Sequence, residues 1–128
     1  MISFCIITSN DKYNALNRVV DSINALNIPD REILICGGNK KFDGVKHLDF
    51  DESKYPNKIG LKKNLLNAAS SNDVNVFIHD YIQFDPDWWN GYKEFGFDWD
   101  ISISPIIRLN GTRGADWIAS TFRPANKG

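Results

Sequence analysis

Val74-Asn75-Val76-Phe77-Ile78-His79-Asp80-Tyr81 decides how this chain is read. Its apolar positions form a run short enough to be one buried strand. The run stops on His79 and Asp80, two side chains that bind metals or protons. In open α/β sheets, ligands bind just beyond the carboxyl ends of the strands, so a His-Asp pair there is a site candidate by position. Asp also favours turns, and Asp80 equally reads as the opening of the bend Ile82-Gln83-Phe84-Asp85-Pro86.

Outward from this strand the chain alternates between two periodicities. Residues 58–70 read as a helix with Leu61, Leu65 and Ala68, together with Leu66 and Ala69, on its apolar face. Lys58, Lys62 and Lys63 crowd its first turns, where they oppose the positive end of the helix dipole; a nearby anion would offset that cost. On the other side, Asp85 caps a short helix that has Pro86 at its first position and Trp88 packed beneath it. Residues 2–8 are a compact, Ile-rich buried strand, followed by Ser9-Asn10-Asp11, all helix N-cap types. Leu16, Val19, Val20, Ile23 and Leu26 then recur at helical spacing until Pro29 forbids continuation. Residues 32–36 are a second buried strand that ends on Gly37-Gly38-Asn39. Residues 45–50 are a third, more exposed strand, in which His47 reads as structural. Farther on, Ile101, Ile103 and Ile106 alternate in a last strand or hairpin arm. Residues 110–114 are a turn by composition, and residues 115–122 a short helix or strand.

Strand-helix-strand, strand, helix-strand is an α/β plan with a mostly parallel sheet and flanking helices. Right-handed crossovers put strand two beside strand one and strand three outside it, and the second helix then returns strand four to the other side of strand one. The expected order is 3-2-1-4. Direction reverses between strands one and four, and a crevice opens at such a reversal. Thr8-Ser9-Asn10 and His79-Asp80 both end there.

Composition bounds the function classes. A chain of 128 residues is one domain by length. Its net charge of -1 gives no overall field toward nucleic acid or an anionic membrane. No apolar run approaches the roughly 20 residues of a membrane span. The opening Met1-Ile2-Ser3-Phe4 has no basic region, so no secretory leader is expected. Cys5 and Cys36 lie inside apolar runs and read as small buried hydrophobes in a reducing compartment, which implies a cytoplasmic location.

Four stretches, in order, carry a family resemblance. They are Phe4-Cys5-Ile6-Ile7-Thr8-Ser9-Asn10, Glu32-Ile33-Leu34-Ile35-Cys36-Gly37-Gly38, Asn57-Lys58-Ile59-Gly60-Leu61-Lys62-Lys63-Asn64, and Phe77-Ile78-His79-Asp80-Tyr81-Ile82 with Pro86-Asp87-Trp88. Together they resemble the GT-A glycosyltransferases, in particular the family 2-like members. The likeness covers roughly residues 1–92, and more faintly 110–117. It implies a single GT-A-like domain over 1–128, with a nucleotide-binding part at about 1–92 and an acceptor-side part at about 93–128.

The resemblance implies transfer of a sugar from a nucleotide-diphosphate sugar, of uridine or guanosine type, to a saccharide or other acceptor. Thr8, Ser9, Asn10, Gly37 and Gly38 would form the nucleoside pocket. Lys63 would stand in for the family's arginine, and Lys58 and Lys62 would add positive charge. Asp80 and His79 would take the place of the metal-binding DXD motif and hold Mn2+ or Mg2+ beside the diphosphate. With one carboxylate and one imidazole, that binding is expected to be weak or nucleotide-dependent. The second acidic motif of relatives has no counterpart here. Asp116 is the acidic residue left to act as base, and equally reads as a cap or a partner of Arg113. Arg113 and Trp117 would contact the acceptor. The chain is then a minimal core or a piece of a longer enzyme.

The alternative, drawn from the same departures, is a non-catalytic GT-A-like module that binds a nucleotide or saccharide and lacks a catalytic base. A doubly wound domain of response-regulator or flavodoxin type fits less well. Its first strand would end in an acidic pair or a phosphate-binding loop, and Thr8-Ser9-Asn10 is neither.

Overall fold

The computed structural model describes residues 2–9, 14–102, 104–108 and 110–111. The chain separates into two compact units, Met1–Phe95 and Gly96–Gly128. The first carries β1 Ile2–Ile7, α1 Leu16–Asn24, β2 Arg31–Cys36, β3 Val45–Leu48, α2 Ile59–Ala69, β4 Val74–His79 and α3 Trp88–Phe95. The strands form one sheet in the order β3-β2-β1-β4, and every pairing is parallel. Both order and direction agree with the sequence reading.

β1 is the centre of the sheet. All six of its residues are buried, as the continuous apolar run requires of a strand covered on both faces. Side chains alternate across the pleat, so the strand serves two cores. Phe4 and Ile6, with Ile33, Ile35 and Ile78 of the neighbouring strands, meet Leu16, Val19, Val20 and Ile23 of α1. Cys5 and Ile7, with Leu34 and Cys36, meet Leu66 and Ala69 of α2. The step from β1 to β2 and the step from β3 to β4 run in opposite senses and use helices on opposite faces. Both crossovers therefore have the same hand, as the chirality of parallel connections demands.

Aromatic packing closes the α1 face. Phe84 stands edge-on to Phe4 at 5.2 Å and to Trp88 at 4.9 Å, so Trp88 does pack beneath its helix. The Asp85 carboxylate accepts the Asp87 amide at 2.8 Å, in the capping role expected ahead of α3. His47 accepts the Phe42 amide at 3.0 Å through Nε2 and is structural, as read.

Three local expectations differ. α1 begins at Leu16 behind Ala15, an N-cap residue without a side-chain cap, several positions later than the Ser9-Asn10-Asp11 cluster suggests; Asn10 and Asp11 lie outside the described residues. In α2 the inward residues are Lys62 and Leu66, while Leu61 and Leu65 stay 37% and 40% exposed. Among the described residues beyond Phe95 there is no strand, only a single bridge at Ile107. Ile103 and residues 115–122 lie outside the described residues. Within this second unit, Gly111 donates to the Arg108 carbonyl at 2.9 Å in the expected turn. Among the described residues no helix is long and apolar enough to cross a membrane.

At the amino end of the sheet, Glu32 accepts from the Ser3 hydroxyl at 2.6 Å and from the Ser71 amide. Burial alone would raise its carboxyl. The bonds from Ser3 and Ser71, with Lys46 nearby, outweigh burial and hold it below the ordinary value. A lowered folded value contributes stability above the unfolded carboxylate range and loses it as pH falls through the folded value. Glu32→Gln should therefore lower stability at neutral pH by about 1 kcal/mol, given solvent screening. In urea unfolding followed from pH 7 to pH 3, the gap to the parent should close as the parent's carboxylate protonates.

Candidate functional site

The carboxyl ends of β1 and β4 meet at Thr8, whose every polar group is engaged. Its amide donates to the Cys36 carbonyl at 3.1 Å. Its hydroxyl donates to Asp80 Oδ2 at 2.8 Å, across 72 residues of sequence. Its carbonyl accepts from Lys62 Nζ at 2.8 Å. One buried threonine thus joins β2, the turn after β4, and α2. It stands where the strand order reverses, the place at which open α/β sheets bind ligands.

Lys62 differs from the other lysines in the first turns of α2: it is buried, 2% exposed. Its ammonium donates to Thr8 O, to Ser9 Oγ at 3.0 Å and to the Glu52 carboxylate, which accounts for all three of its protons. The Phe50 ring lies 4.9 Å from Nζ and supplies a fourth, cation–π contact. A buried ammonium is tolerated only when paired and fully hydrogen-bonded, and this one is. Glu52 comes from the connection between β3 and α2 and was not singled out from the sequence. A signal for Lys62 was present: residues 62, 66 and 69 lie on one helical stripe, so a lysine there demands a buried partner.

Gly37 and Gly38 adjoin the same point. Both have positive φ, +98° and +69°, a region that side chains rarely adopt. A Cβ on Gly37 would lie 2.0 Å from Thr8 O and 3.2 Å from Lys62 Nζ. A Cβ on Gly38 would lie 3.2 Å from Thr8 Cγ2. The backbone comes this close to β1 only because both positions lack side chains.

Of the site residues named from sequence, Thr8, Ser9, Gly37, Gly38 and Asp80 are therefore brought together. Lys58 and Lys63 are exposed at the start of α2, and α2 carries no acidic residue in its first turn and no side-chain cap. His79 follows Ile78 at the end of β4, and its ring stacks on Tyr81. Asn10, Arg113, Asp116 and Trp117 lie outside the described residues.

The described donors do not make a resident metal site. Among the described residues, no group of three or more His, Cys, Asp or Glu side chains is arranged to hold an ion. Asp80 already accepts from Thr8, and with His79 it offers two ligands where Mg2+ requires about six oxygens in all. The thiols are no substitute. Burial, with Glu32 nearby, pushes Cys5 up to about 12. Burial also raises Cys36, with Lys62 opposing and Glu52 adding to the rise.

No protein-family model matches the chain, and neither a curated protein nor a solved structure shows significant similarity to it.

Three variants test this geometry. Lys62→Met leaves the buried Thr8 carbonyl without its donor and the half-exposed Glu52 carboxylate without its cation, and should cost about 2 kcal/mol in chemical denaturation. Adding Glu52→Leu removes the unpaired carboxylate but not the unsatisfied carbonyl, so it should recover less than half of that loss. Gly37→Ala should cost at least about 2 kcal/mol, from the left-handed backbone and the clash with Thr8 O together.

Proposed function

We propose that this chain is a GT-A-like domain that binds a nucleotide-diphosphate sugar and transfers its sugar to a saccharide or other acceptor. The observation that carries the reading is the Thr8–Asp80 bond, with Gly37-Gly38 pressed against the same threonine, at the reversal point of a parallel sheet. Open α/β sheets bind nucleotides at such points. The first turn of α2 supports an anionic ligand. It carries exposed Lys58 and Lys63 and no acidic residue in that turn, at the helix end that already favours negative charge.

In this reading the nucleoside lies over Gly37-Gly38 and Ser9, where backbone groups do the recognition. The diphosphate lies toward Lys58 and Lys63. Asp80, fixed by Thr8, receives hydrogen bonds from the ligand through its remaining oxygen. Transfer would form a bond from the acceptor oxygen to the anomeric carbon and break the bond to the diphosphate. The acceptor's proton would go to a general base; Asp116, the sequence's candidate for it, and Arg113 and Trp117, its candidates for the acceptor, lie outside the described residues. A Mn2+ or Mg2+ ion, if bound, would neutralise the leaving diphosphate. Its affinity would depend on the nucleotide, because Asp80 and His79 are too few to hold it alone.

Calorimetry with uridine, guanosine and adenosine diphosphates, each with and without Mn2+, tests the reading. Binding of at least one is expected, and no binding of any would end it. Binding without sugar transfer would instead favour a non-catalytic nucleotide-binding module. Asp80→Asn is the sharper probe. The amide oxygen can still accept from Thr8, so the fold should persist. Metal-dependent nucleotide affinity should nonetheless fall about tenfold or more, which corresponds to at least about 1.4 kcal/mol. An unchanged affinity would reduce Asp80 to a turn former.

A further inference from the structure

The two edges of the sheet are unlike. β3 is four residues long and carries exposed Lys46, a charge that blunts an edge against pairing. β4 is six residues long, with no lysine, carboxylate or proline, and its register with β1 runs from Val74 to His79 without a bulge. Among the described residues, no strand pairs with its outer side. Backbone alternation identifies the groups left open there. The amides of Ile2 and Thr8 donate to Asp30 and Cys36, so even-numbered β1 residues face β2 and odd-numbered ones face β4. The register then turns Val74, Val76 and Ile78 toward β1 and points the N–H and C=O groups of Asn75, Phe77 and His79 outward. On this face α2 sits over β1 and β2, where Leu66 meets Cys5, Ile7, Leu34 and Cys36. Phe77 is left 39% exposed, the exposed apolar side chain of the four strands.

We infer that the β4 edge pairs with the β4 edge of a second copy of this chain, antiparallel about a two-fold axis at Phe77. An interface made by one surface patch on itself is two-fold, and two copies of one strand then run antiparallel. Facing residues of an antiparallel pair share a face of the sheet, so the axis passes through a residue and not between two. Phe77 is the middle of the three outward residues, and an axis there uses all of them. Phe77 exchanges both N–H···O bonds with its counterpart, and Asn75 does so with His79 of the second copy. On the α2 face the two Phe77 rings stand side by side, which supplies the apolar contact each lacks alone. On the other face Val76 meets Ile78. Asp80 faces Val74 and Asp73 faces Tyr81, so no charge meets its like. The edge is thus complementary to itself, and it carries no charge that would select a partner of other chemistry. A ladder this short belongs with small, reversible interfaces, so the dimer should depend on concentration. None of this depends on the proposed nucleotide site.

The test is sedimentation equilibrium of the full chain from about 1 μM to about 1 mM, with amide hydrogen exchange at both ends of that range. A monomer–dimer equilibrium is expected. The Asn75, Phe77 and His79 amides should exchange rapidly in the dilute sample and about fivefold or more slowly in the concentrated one. Those of Val74, Val76 and Ile78 should be protected in both. Phe77→Lys sets like charges face to face at the axis and should weaken association about tenfold or more. Phe77→Thr keeps a good strand former without the ring and should weaken it about threefold, which holds the test open if the lysine variant folds poorly. Tyr55→Lys, at a similarly exposed aromatic in the connection from β3 to α2, should stay within about twofold of the parent. A chain still monomeric at about 1 mM would overturn the inference. So would a dimer untouched by both Phe77 variants, or one weakened equally by Tyr55→Lys, because another face would then form it. Outward amides already protected in the dilute monomer would overturn it too, because the same chain would then cover its own edge.

Discussion

A single buried ammonium, Lys62, holds the carboxyl end of this sheet in place. Parallel strands end with unpaired polar groups at the very point where an α/β protein places its ligand. Here the Thr8 carbonyl and the Ser9 hydroxyl are both met by Lys62, and the charge is balanced by Glu52. The Thr8 side chain is thereby left to reach across to Asp80. The energetic logic is asymmetric. An ion pair of this kind adds little over a well-packed apolar pair, yet losing either member alone leaves a buried group unsatisfied. Lys62 and Glu52 are therefore better understood as fixing one arrangement of the loop than as a large source of stability.

That arrangement couples segments that the topology alone would leave independent. Glu52 belongs to the connection from β3, Lys62 to α2, Thr8 directly follows β1 and Asp80 opens the turn after β4. Gly37, just past β2, fits against the same carbonyl and hands its own amide to Leu48 of β3 at 3.2 Å. All four strands thus contribute to one small polar assembly. Rigid elements position a binding residue more accurately than a free loop does. Asp80 is such a residue: it sits in a turn, but Thr8 anchors it to the central strand.

The strand order was legible because each strand is an apolar run bounded by turn residues, and chirality leaves few ways to connect them. Gly37-Gly38 could be read as a strand end, and the nearness of Thr8-Ser9-Asn10 to His79-Asp80 followed from the topology, though not the bond from Thr8 to Asp80. Lys62 was not legible in the same way. Lysine is so often a surface residue that periodicity was read from Leu61 and Leu65, and the partner Glu52 lies in a polar connection with no pattern of its own. The parallel stack of His79 on Tyr81 was likewise hidden, since two-residue spacing says nothing of how rings turn after the strand ends. The alternation at Ile101 and Ile106 read as a strand because the pattern matched. A strand also needs a neighbour to pair with, and the sequence around it does not name one.

The central place of β1 also governs how this chain comes to be folded. β1 is synthesised before any of its partners, and its contacts join residues 29 and 72 positions apart at Ser3–Glu32 and Thr8–Asp80. Until β4 and its turn have left the ribosome, Ile-Ser-Phe-Cys-Ile-Ile has only one of its two neighbours and an open apolar face. Non-local parallel pairing is slow, and exposed apolar strands are prone to aggregate while they wait. The nascent chain is thus most exposed to aggregation between the completion of β2 and the arrival of Asp80.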